Sequence, residues 1–75
     1  MNHEWTKGSE FVPAVGRCYE ITFGNIEHEG KIGRWTAKVR VEGLDHNAWI
    51  DIDTGSSLDA DFTQYSVQAY RVIDC

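Results

Sequence analysis

The chain has 75 residues, with seven Lys and Arg against twelve Asp and Glu and a formal net charge of −5. A domain of this size buries only about 60% of the surface its unfolded chain exposes, so most large apolar residues are needed for the fold and few are free for chemistry. The acidic balance argues against nucleic acid as the default partner, since phosphate binding needs clustered cations.

No apolar run approaches the ~20 residues that span a bilayer. Met1-Asn2-His3-Glu4-Trp5 lacks the basic-then-apolar pattern of a secretory leader, so the expectation is a cytoplasmic protein with no membrane contact. Cys18 and Cys75 fit neither a metal-ligand spacing nor a dense disulfide framework. In a reducing compartment they are expected as free thiols, with a disulfide as the alternative if the first and last strands are neighbours.

Residues 1–16 carry Gly8, Pro13 and Gly16 without a clean period and read as a lead-in, from which Trp5, Phe11 and Val12 fold back over one end of a core. Residues 17–75 are read as the domain proper. From Arg17 to Phe23 the period is two, with Tyr19, Ile21 and Phe23 on one face and Cys18, Glu20 and Thr22 on the other. Gly24 to Gly33 reads as a loop. Trp35 to Glu42 is the cleanest strand, placing Trp35, Ala37, Val39 and Val41 inward and Thr36, Lys38, Arg40 and Glu42 outward.

Gly43-Leu-Asp-His-Asn47 is turn chemistry, and Ala48 to Asp53 is a third strand whose inward set is Ala48, Ile50 and Ile52. A hairpin with its loop at Leu44 to Asn47 then sets Glu42 opposite Trp49, Arg40 opposite Asp51 and Lys38 opposite Asp53. The same register pairs Val41 with Ile50 and Val39 with Ile52, so charge pairs and apolar pairs coincide. A slip of one residue inverts that assignment. Beyond Gly55 the period changes. Ser56 is a helix N-cap with Asp59 three residues on, and Leu58, Phe62 and Tyr65 share one face of a short helix or 3₁₀ turn. Ser66 to Ile73 is the closing strand.

Strand, loop, hairpin, helical turn and final strand together are similar to a small five-stranded SH3-like (Tudor-like) barrel, mainly β, with a helical turn before the last strand. The likeness is one of architecture and implies no function. It sets Cys18 near Cys75, because the first and last strands of such barrels are antiparallel neighbours.

Asp53-Thr-Gly-Ser-Ser57 resembles the active-site loop of aspartic proteases, which need two carboxylates sharing a proton. One copy with twenty residues after Gly55 cannot supply the rest of a lobe, and the string reads as a turn. Asp51, Asp53, Asp59 and Asp61 fail the calcium-loop pattern, since position six from Asp51 is Ser56 and position twelve is Phe62. His28, between Glu27 and Glu29, and His46 show no zinc spacing and read as loop residues. No serine or cysteine has a visible base. No catalytic residue, metal ligand or cofactor is expected.

Trp49 is the residue singled out. On the polar face it is either covered by the lead-in or exposed among charges, where Arg40 stacks on it and it acts as a binding hot spot. The expectation is therefore a non-catalytic protein-binding module, a small acidic inhibitor or adaptor of the sort phages and mobile elements encode. It would be a monomer or homodimer with a basic-surfaced protein partner. The contact residues expected are Trp49, Arg40, Asp51, Asp53 and Lys38, with Glu27, His28 and Glu29. The alternative is a structural or assembly subunit of a larger complex.

Overall fold

The computed structural model of the chain describes residues 4–43, 48–58 and 62–75. Five strands form one antiparallel sheet: β1 (Thr6–Lys7), β2 (Cys18–His28), β3 (Lys31–Val41), β4 (Trp49–Asp51) and β5 (Val67–Ile73). Their spatial order is β1-β5-β2-β3-β4. The sheet is open, with β1 and β4 at its edges, so the mainly-β expectation stands but the closed barrel does not. Among the described residues, Gly8–Glu10 and Gln64–Ser66 also form 3₁₀ turns. The second lies directly before the last strand, where a helical turn was expected.

The alternation expected of the first strand holds. Tyr19, Ile21 and Phe23 are buried, and Val39 and Val41 join them from β3. Trp35, Ala37, Leu58 and Tyr70 pack against that cluster from partly buried positions. Phe11 of the lead-in covers one end and meets Tyr19, Tyr70 and Trp49 edge-on at centroid distances of 5.2, 4.8 and 5.7 Å. Gly8 packs flat on β5: a Cβ there would lie 1.8 Å from the Val67 carbonyl oxygen. Trp5 and Val12 depart from expectation. Val12 is exposed, and Trp5 lies on the opposite sheet face with the Arg71 guanidinium 4.8 Å above its ring.

Gly24 to Gly33 is not a loop. β2 and β3 run on through it as a long hairpin and turn at Glu29-Gly30, where both residues have positive φ (53° and 78°). Positive φ at both central positions defines the tight turn whose twist matches that of paired strands. Glutamate is a poor residue there, which hides the turn in the sequence. Gly24 and Asn25 together oppose one residue of β3, a bulge in which Asn25 takes φ 54°. The bulge shifts the alternation, so Ile26 and His28 face inward after Phe23.

The third strand is shorter and reversed in facing. β3 and β4 pair as Val39↔Asp51, Arg40↔Ile50 and Val41↔Trp49, one residue away from the expected register. Trp49 is therefore in the core at 1% exposure, while Ile52 is exposed. Burying the indole against Phe11 and Phe23 removes far more apolar area from water than the expected charge pairs would stabilise. The turn at 44–47 lies outside the described residues.

No helix begins at Ser56. The chain bends at Ile52 to Thr54 and returns along the far edge of β4: Asp51 N–H donates to Ser56 O (2.8 Å), and Leu58 N–H donates to Trp49 O (2.9 Å). Asp59, and with it the expected capping pair, lies outside the described residues. Phe62 is buried but Tyr65 is 92% exposed, so the three do not share a helical face. The cysteines are also not free. β2 and β5 are antiparallel neighbours, and Cys18 is bonded to Cys75. No helix among the described residues is long and apolar enough to cross a membrane.

Candidate functional site

The two faces of the sheet differ in charge. Lys38 and Arg40 alternate outward along β3, with Arg34 before them. Arg71 lies beside Glu20 on the same face, and Lys7 beside Ala69. Five of the seven cations therefore stand on the outer face. Two of them are spent locally: Arg71 Nε donates to Glu20 Oε1 (2.6 Å), and Arg40 donates through Nε and Nη2 to Glu42 Oε1 (3.1 and 2.9 Å). Arg40 thus stacks on no tryptophan.

The inner face carries a cleft that gathers several of the expected contact residues. Its floor is Trp35, Ala37, Leu58 and Phe62, and its rim includes His28, Glu29 and Asp51, with a volume of about 420 Å³. Each position has a local cause. The bulge at Gly24-Asn25 turns His28 inward, the tight turn sets Glu29 beside it, and the one-residue register brings Asp51 to the inner face opposite Val39.

His28 is not a solvated loop residue. Its ring stands edge-on to Trp35 at 5.0 Å and tilted against Phe62 at 4.8 Å, and its Nε2 lies 3.7 Å from Glu29 Oε1. The Asp51 carboxylate is anchored, because its Oδ1 accepts from the backbone N–H of Asp53 (2.9 Å) and of Thr54 (3.3 Å). Among the described residues the Asp51 carboxylate makes no other hydrogen bond. The Asp53-Thr-Gly-Ser-Ser string is this turn, closed by Gly55 N–H donating to Asp51 O (2.7 Å), with Gly55 at φ 76°.

Of the expected contact residues, the structure brings His28, Glu29 and Asp51 together. It leaves Lys38 and Arg40 on the outer face, Asp53 exposed in the turn and Glu27 on the outer side of the hairpin opposite Ile32. Trp49 is withdrawn into the core. The sequence reading missed Trp35 and Phe62 as site residues. Their apolar character signalled core, and only the bulge and the chain reversal after Asp51 reveal that they also floor a cleft. Among the described residues no three His, Cys, Asp or Glu side chains converge as a metal set. No protein-family model, curated protein or solved structure matches the chain.

Proposed function

We propose that the chain is a non-catalytic protein-binding module, an inhibitor or adaptor, and that its cleft takes a cationic side chain from a basic-surfaced partner. The observation that carries this reading is two carboxylates, Glu29 and Asp51, at the rim of a cleft floored by Trp35 and Phe62. An ammonium or guanidinium over such a floor gains from the aromatic quadrupole and from both anions, and the aliphatic stem of Lys or Arg matches an apolar base. Surface carboxylates each contribute about 0.2–1 kcal/mol to such a contact. Affinity for one side chain is therefore weak, and the full interface supplies the rest.

The test is a titration of the ¹⁵N-labelled protein with N-acetyl-lysine methylamide, read at the Trp35 indole N–H and the Leu58 amide. Saturable shifts at those two positions are expected, and they vanish in the Glu29→Gln/Asp51→Asn double variant. Equal shifts with the uncharged norleucine analogue contradict a cation site.

A further inference from the structure

β3 is longer than its neighbour on the β4 side. β4 covers only Val39 to Val41, with Ile52 N–H reaching Lys38 O (2.9 Å) and Glu42 N–H reaching Ala48 O (2.7 Å). Those bonds fix which backbone groups point that way: Lys38 and Glu42 present theirs to β4. Because strand backbones alternate, Ile32, Arg34 and Thr36 present theirs to the same side. Beyond the end of β4 these groups have no backbone partner among the described residues, and all three residues are exposed. An edge of this length that is open among the described residues is a template for strand addition.

The cleft opens on that edge. Thr36 lines it although its side chain points to the outer face, where its Oγ1 lies 3.3 Å from that of Thr22. Thr36 can therefore border the cleft only along the strand itself. We propose, resting on the cleft reading above, that the partner segment is an extended peptide that adds a strand antiparallel to β3 along Ile32 to Thr36, continuing the line of β4.

Such a strand alternates its side chains between the two faces. Inward residues fall over Trp35 between Glu29 and Asp51, which suits Lys or Arg. Outward residues fall beside Arg34 and Lys38, neither of which has an ion-pair partner among the described residues, and this suits Asp or Glu. The occupant is thus a segment in which a cation is flanked by acids. A second copy of this chain is disfavoured, because pairing β3 with its own copy about Arg34 sets two guanidinium groups face to face.

The probe is acetyl-Glu-Lys-Glu-Val-Thr-amide, which lies opposite Thr36 to Ile32 and stops short of Lys38, already bonded by Ile52; its lysine is inward and both glutamates are outward. The residues opposite Arg34 and Thr36 exchange hydrogen bonds with them, so the glutamate amides point at β3 and the lysine amide points away. N-methylation of the two glutamate amides is expected to weaken binding at least tenfold, and N-methylation of the lysine amide to leave it within threefold. Arg34→Pro, which removes an N–H that β2 does not use, should likewise abolish binding while near-ultraviolet circular dichroism stays native.

Binding that survives glutamate N-methylation but is lost on replacing lysine by norleucine overturns strand addition and leaves the cleft reading intact. No binding by the unmodified probe at millimolar concentration overturns both. Sedimentation showing a dimer that Arg34→Pro dissociates makes the occupant a second copy and also overturns the proposal.

Discussion

Trp49→Ala is expected to cost about 3–5 kcal/mol, as large aromatic deletions in packed cores do. The indole is fully buried against Phe11 and Phe23. A 75-residue domain has about 4–11 kcal/mol in total, so urea denaturation should find the variant close to its unfolding threshold. A variant that keeps near-native stability would refute the core assignment. The facing of Trp49 turned on a single residue of register. The expected pairing satisfied Arg40 with Asp51 and Lys38 with Asp53 and put Ile50 and Ile52 inward; the observed pairing, one residue away, inverts that facing. What decided the outcome was area: Trp49 exceeds every other candidate for that inward position, and the structure buries it.

Trp35 was legible as an inward residue, since it lies in the cleanest alternating stretch of the chain. Its second role was not, because the cleft depends on a bulge and on a chain reversal after Asp51 that local patterns do not announce.

At the scale of elements, the β2–β3 hairpin carries the site. Its turn holds Glu29 at φ 53°, in a region where a side chain with a Cβ costs roughly 1–2 kcal/mol and asparagine less. Glu29→Asn should therefore raise the midpoint of thermal unfolding, by up to about 1 kcal/mol of stability, while weakening probe binding through loss of a rim carboxylate. Calorimetry and titration on the same sample check both signs. A variant that is less stable would mean the turn geometry is not the one described. The sequence hid this hairpin because Glu-Gly is an uncommon choice for such a turn and three glycines nearby suggest a loop.

Gly8→Ala belongs to the same scale. The added methyl meets the Val67 carbonyl, so the 3₁₀ turn must lift from β5. Phe11, placed by that turn, should then gain solvent exposure. Faster hydrogen exchange at Tyr70, where β1 pairs with β5, is the expected readout.

For the whole molecule, the Cys18–Cys75 bond closes a span of 57 residues. In the chain-entropy account such a loop stabilises by about 4 kcal/mol, mostly by restricting the unfolded chain. Cys75→Ser, or dithiothreitol, should lower the urea midpoint by a matching amount with little change in the folded spectrum. Cytosolic reductants open bonds of this kind, so a cytoplasmic protein would be expected to work as the less stable dithiol.

The distribution of charge is also a property of the whole. An acidic chain sets most of its cations on the outer sheet face and two carboxylates, Glu29 and Asp51, beside His28 at the cleft, so net charge alone described neither surface. The claim that the cleft recognises a cation is tested most directly by holding total charge constant. The affinity of acetyl-Glu-Lys-Glu-Val-Thr-amide should be measured for Glu29→Gln/Asp51→Asn and for Glu4→Gln/Glu10→Gln, two exposed acids outside the cleft. Binding should be at least tenfold weaker in the first and less than twofold weaker in the second. Equal losses in both would show that only overall charge attracts the peptide, and the cleft would not be the site.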